Sequence, residues 1–217
     1  VFPDLAQAIA KAVPSADLQE VRQGALILLY RLLFILYAED RDLLPVKDRR
    51  YDDYGLRNRV RLDVRDRKDR GDVFSDTAAR YWSAMSDLFL AIDKGDASIG
   101  LPPYNGGLFD QDRTAILTRV RLPDDVMARV IDALSFELTD DGRKYINYRN
   151  LSVQQLGSIY ERLLEFDIAK EGDALDQDKG VVTSVYPQHM VIWVRRLAVI
   201  EDLSFQGEAL SVAKDPW

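Results

Sequence analysis

Cysteine is absent, histidine occurs once, and there are only 12 glycines and 8 prolines in 217 residues. Without cysteine there is no disulfide framework, zinc ribbon or thiol nucleophile. The same absence fits a reducing compartment, and the chain reads as cytoplasmic. The single His189 excludes paired histidine metal ligands. A Ser-His-Asp triad would need it as the base, yet it stands in Tyr186-Pro-Gln-His-Met190 with no nucleophile elbow anywhere in the chain. Glycine and proline are too sparse for a collagen-like or low-complexity chain. Aromatic residues at 10% exclude disorder throughout. Nor is there an uninterrupted apolar run of about 20 residues, which a membrane span requires. The longest, 25–38, has 14 residues and is broken by Arg31.

What is present describes an ordinary globular chain: 47% hydrophobic and 30% charged residues, with 29 basic against 36 acidic side chains. A net charge of -7 argues against a protein that coats nucleic acid with its whole surface, but allows a local basic patch. The length suits one large domain or two small ones. The chain opens at Val1 and closes at Asp215-Pro216-Trp217, and it reads as a piece of a longer protein.

The pattern predicts a mainly α fold around a long buried helix. Asp17 with Glu20 three residues on forms an N-cap signature. The helix is expected to run over 17–44 and to stop at Pro45. A shorter helix is expected at 5–13. Others are expected over 76–93 behind a Ser75 cap, from Pro123 to 134, and over 152–166 behind a Ser152/Gln155 capping box. In the 76–93 helix, Tyr81, Met85, Leu88 and Phe89 share one face, which marks core. Residues 167–180 read as an acidic loop, 181–186 as strand-like, and 189–200 as helix in preference to strand. The domain reading is a helical spacer over 1–180, followed by a C-terminal segment, 181–217, that begins a further domain.

Catalytic groupings are sparse. Gly106-Gly107 is a turn pair, without the spaced glycines of a phosphate cradle. Glu39, Asp40 and Asp42 read as a solvated helix end. Asp167 with Gln177-Asp178-Lys179 matches a metal-nuclease pattern only loosely. No catalytic residue and no metal ligand is assigned.

The binding feature is 47–70, which reads as a long exposed loop with one short helix. It holds ten basic and six acidic residues, and arginine outnumbers lysine eight to two. Arginine forks match phosphate geometry, and each neutralised phosphate releases counterions. The DNA-backbone candidates are Arg49, Arg50, Arg57, Arg59, Arg61, Arg65, Arg67, Lys68 and Arg70, with Tyr51 and Tyr54 nearby. The competing reading is a solvated loop whose aspartates pair with its arginines.

Three segments then carry a resemblance. They are Leu33-Phe-Ile-Leu-Tyr-Ala-Glu-Asp-Arg-Asp-Leu-Leu-Pro45, Tyr104-Asn-Gly-Gly-Leu-Phe109 and Leu151-Ser-Val-Gln-Gln-Leu-Gly-Ser-Ile-Tyr-Glu-Arg-Leu-Leu-Glu165. In this order they resemble the helical spacer of large single-chain type II restriction–modification proteins and related phage-exclusion N6-adenine DNA methyltransferases of bacteria. The resemblance implies a non-catalytic, all-helical connector that packs on a methyltransferase domain and helps to clamp double-stranded DNA. It also gives structural roles to Glu39, Asp40, Tyr104, Asn105, Gly106, Gly107, Phe109, Gly157, Tyr160 and Glu161. For the parent protein it implies S-adenosylmethionine, Mg if a nuclease is fused, and methyltransferase and nuclease domains as partners within the chain. No cofactor is implied for this segment itself. The family's glycine-rich cofactor loop is missing, and Leu101-Pro-Pro-Tyr104 mimics its Asn/Asp-Pro-Pro-Tyr tetrad without the amide or acid. Thr183-Ser-Val-Tyr-Pro187 occupies the place of the family's cofactor-contacting stretch but lacks its glycine and its threonine. The alternative is a helical protein–protein interaction module without a nucleic-acid role; a hydrolase built on Glu39, Asp40 or the 167–179 loop is the third reading.

Overall fold

A computed structural model describes residues 1–104, 107–140 and 142–152, together with Gln155, Ser158, 168–170 and 182–184. The fold is mainly α, as the sequence predicts. Helix α1 spans Phe2–Ala12, α2 Leu18–Asp40, α3 Arg49–Asp52, α4 Leu62–Asp69, α5 Arg80–Lys94, α6 Ala115–Arg119 and α7 Asp124–Ser135. A π-helical turn, Leu56–Arg61, runs straight into α4. Two antiparallel pairs complete the described part: β1 (Phe136–Thr139) with β2 (Gly142–Tyr145), and β3 (Ile168–Lys170) with β4 (Val182–Ser184).

Helix α2 is the axis. Asp17 caps it, its carboxylate accepting from the Glu20 amide at 2.8 Å. Apolar residues occur on every side of it, so it can bury on every side. Leu28, Leu29, Leu32, Leu33 and Ile35 have no exposed surface. By length and composition α2 could cross a membrane, but 72% of its most apolar window is buried inside the fold. It ends at Asp40, four residues before the expected stop at 44. Asp42 adopts a left-handed conformation (φ 56°). The Leu43 amide then donates to the Ala38 carbonyl, and the Asp42 amide to the Glu39 carbonyl. This is the two-bond closure that normally uses glycine, so the helix stops by its own cap before the proline acts.

Helix α5 also differs at its start. Ser75 accepts from the amides of Thr77 and Ala78, which fixes a bend. The helix begins only at Arg80, where buried Asp124 of α7 accepts from the Tyr81 amide at 3.0 Å. A cap donated from a distant helix leaves no local sequence signal. Gly95 ends α5 as expected (φ 77°), because a Cβ there would lie 2.8 Å from Pro103. The capping box at Ser152 and Gln155 is formed in both directions, at 3.1 and 2.7 Å. Gln155 and Ser158 of that predicted helix are helical; its remaining residues, with Leu156, Ile159, Tyr160, Leu163 and Leu164, lie outside the described residues, as does 189–200. At 168–170 a strand stands where a loop is expected, and 182–184 is strand as its composition suggests.

Residues 47–70 are not a loop. Leu56, Val60 and Val64 recur every four residues and are buried to 1% exposure or less. They form one thin apolar line on an otherwise charged arm, enough to seat it on α2 and α7. The β1–β2 hairpin is the other unanticipated element. Phe136 and Tyr145 face each other across it with ring centroids 4.9 Å apart.

Candidate functional site: the cleft at the end of α2

The C-terminal end of α2, the π-helical turn and β2 meet at a shallow cleft of about 320 Å³. Asp40, Arg57, Asn58, Arg61, Tyr145 and Asn147 line it. Beneath it lies Glu39, at 1% exposure, which corrects the expectation of a solvated acidic helix end. Helix α2 terminates inside the protein because the charged arm folds over it. The two carboxylate oxygens of Glu39 accept from the Tyr51 hydroxyl at 3.0 Å and from the Arg57 amide at 2.8 Å. Glu39 therefore fastens α3 and the start of the π-helical turn to α2. Burial raises its pKa to about 7, against the opposing effects of the Tyr51 hydrogen bond and the Arg61 charge. The Tyr51 hydroxyl is pushed up in turn by burial and by Glu39.

Asp40 is half-buried. Its carboxylate accepts from the Tyr148 amide at 2.9 Å and stands 3.9 Å from the Arg61 guanidinium. Arg61 is 4% exposed and lies 4.6 Å over the Tyr145 ring. Burial lowers its pKa, while the charges of Asp40 and Glu39 raise it.

The other basic candidates divide sharply. Arg50 pairs with Asp48, Arg65 with Asp66 and Arg70 with Asp72. Arg67 donates to the Tyr81 hydroxyl and the Val73 carbonyl and covers the Phe74 ring. Lys68 reaches Asp132 on α7 at 2.7 Å. These five hold the arm together. Arg59 is exposed and donates to the Asp53 carbonyl. Arg49 and Arg57 are exposed, and neither side chain has a partner among the described residues. Tyr54 is exposed, whereas Tyr51 is buried and occupied by Glu39.

The resemblance residues that are described gather around α2. Tyr104 donates its hydroxyl to the Leu43 carbonyl. Gly107 takes a positive φ of 69°. Phe109 packs edge-on against Phe34 at 5.5 Å. Arg31, which breaks the apolar run, reaches across to donate to the Leu108 carbonyl at 2.8 Å and the Thr114 hydroxyl at 2.7 Å. Arg41 donates to the Leu151 carbonyl at 3.0 Å. Asn105, Gly106, Gly157, Tyr160 and Glu161 lie outside the described residues. So do Asp167, 177–179 and His189.

The Leu101–Tyr104 stretch does not fit methyl transfer. Leu101 is a core residue, 2% exposed, and the Tyr104 hydroxyl is held by backbone. Among the described residues no three acidic or histidine side chains cluster as metal ligands. Asn58, Tyr145 and Asn147 carry no sequence signal for the cleft. Tyr145 meets Arg61 only through the hairpin, 84 positions along the chain. Compared with protein-family profiles, curated proteins and solved structures, the chain matches none.

Proposed function

We propose that this chain is a non-catalytic helical domain of a bacterial restriction–modification or phage-defence adenine DNA methyltransferase. It positions the catalytic domains and touches the DNA backbone through the cations that its own acids leave free. The three-segment pattern carries this reading. In support, the first two segments and Leu151, which opens the third, pack against one another around the C-terminal half of α2, through the contacts of Tyr104, Arg31, Phe109 and Arg41. Segments that form one buried junction are constrained together, and a connector needs such a stiff junction between domains. The parent protein is expected to supply the glycine-rich loop, the tetrad and S-adenosylmethionine.

The direct test is fluorescence anisotropy of the 217-residue chain with a labelled duplex. Among the described residues, Arg49, Arg57 and Arg59 are the exposed cations of the arm without a carboxylate partner. Three phosphate contacts predict an affinity loss of about 40-fold between roughly 50 and 200 mM salt. Changing all three arginines to Gln should flatten that dependence, whereas Arg50→Gln and Arg70→Gln should leave it intact. No binding at the lower salt, or equal effects from paired and unpaired arginines, overturns the DNA-contact reading.

A further inference from the structure

We propose that the cleft between the π-helical turn and β2 is a phosphate-binding site, with Arg61 as its fixed donor and Arg57 as its outer clamp. The decisive observation is Arg61 itself. Its guanidinium carries five N–H donors, yet it makes no hydrogen bond among the described residues. Its Nε is wholly buried and unpartnered. Of the two acids that face it among the described residues, Glu39 is occupied by Tyr51 and the Arg57 amide, and Asp40 stands at 3.9 Å, beyond hydrogen-bonding range. Buried polar groups are almost always satisfied, and an idle one calls for a ligand, an ion or a water.

The surroundings favour an oxyanion. Arg61 is held against the Tyr145 ring, so its fork is oriented before anything binds. It closes a π-helical turn, a rare conformation that recurs at functional sites. Arg57, one turn earlier, lines the same cleft with an unpaired side chain. The Asn147 carbonyl oxygen accepts from the Arg149 amide, which leaves its side-chain NH₂ available as a donor. Asp40 also lines the cleft, one of its oxygens 3.9 Å from Arg61 and the other engaged by the Tyr148 amide. Two guanidiniums and an amide line one cleft, and guanidinium forks suit the planar, multidentate recognition of a phosphate group. The source we assign is a backbone phosphodiester of a nucleic acid. That source rests on the DNA-contact reading above, whereas the site itself does not.

The test follows the Nε–Hε resonances of the arginines by NMR in the 217-residue chain. Inorganic phosphate is titrated from millimolar to tens of millimolar, and a short DNA duplex is titrated separately. The Arg61 resonance is identified by its loss in Arg61→Gln or, if that variant fails to fold, in Arg61→Lys. A saturable shift of Arg61 with phosphate, weakened about tenfold in Arg57→Gln as expected for one lost charge-assisted bond, supports the site. The same shift with duplex supports the nucleic-acid source. Movement with phosphate but none with duplex keeps the site and overturns the source. No movement with phosphate overturns the site and leaves any DNA contact to the exposed arginines.

Discussion

Glu39 is the clearest case of tertiary burial changing a side chain's chemistry. Burial raises its pKa from 4.5 to about 7. The folded state therefore binds a proton more tightly than the unfolded chain, and the sign of the linkage follows. Stability from this group is fully present below about pH 4.5 and is lost as pH rises to about 7, where the carboxyl ionises in both states. The expected loss across that window is on the order of 3 kcal/mol, set against the contributions of all other titrating groups. Glu39→Gln should remove this slope. Its amide oxygen can accept from the Arg57 amide, and its NH₂ can donate to the Tyr51 hydroxyl. Urea midpoints measured from pH 5 to pH 8 on both proteins check this; an equal slope in the two would show that Glu39 is not the group responsible. Arg31 is the opposite case. Burial pulls its pKa down only to about 10, so it stays charged at neutral pH and can hold the 108–114 loop through several acceptors at once.

At the scale of elements, the junction of α3 with the π-helical turn is closely packed. Gly55 sits between them, and a Cβ there would lie 2.6 Å from a Tyr51 ring carbon and 3.0 Å from a Glu39 oxygen. Gly55→Ala should therefore cost about 2 kcal/mol by overpacking and should separate Tyr51 from Glu39. Chemical denaturation gives the magnitude. A change in Tyr51 aromatic resonances without loss of the α2 signals would place the damage at this junction. The helical nature of 47–70 was hidden because only Tyr51, Leu56, Val60 and Val64 anchor it. Its charged positions pair with one another or with neighbouring elements, so no broad amphipathic stripe is visible. The β1–β2 hairpin had a readable cue in Asp140-Asp-Gly142, since Asp-Gly is a turn signal, but the strands on each side are only four residues long.

For the whole molecule, the arm, the hairpin and α7 are tied together by charge. Asp132 of α7 receives Lys68 from α4 at 2.7 Å and Arg143 from β2 at 3.1 Å, and Arg143 also reaches Asp69. A network on partly buried side chains contributes more than an isolated surface pair. Asp132→Ala should lower stability by about 1 kcal/mol. It should also speed hydrogen exchange at the β1–β2 amides, while leaving exchange in α2 unchanged. The arm's basic run is largely neutralised by nearby acids, since Arg50, Arg65, Arg67, Lys68 and Arg70 each lie within 3.7 Å of a carboxylate.

The local pattern determined the mainly α class, the burial of α2, the core face of α5, the Asp17 cap and the Ser152 capping box, because each depends on residues within a turn or two of one another. Sequence also marked 47–70 as the charged segment with a possible binding role. Local pairing of aspartates with arginines was readable as the competing reading, and Arg50, Arg65 and Arg70 pair within two positions; only the tertiary structure decided the long-range partners, Tyr81 on α5 for Arg67 and Asp132 on α7 for Lys68. It likewise turned Glu39 from a solvated acid into a buried one and brought Tyr145 beneath Arg61. Charge pairing and burial are properties of space, and a pair 84 positions apart leaves no trace in spacing.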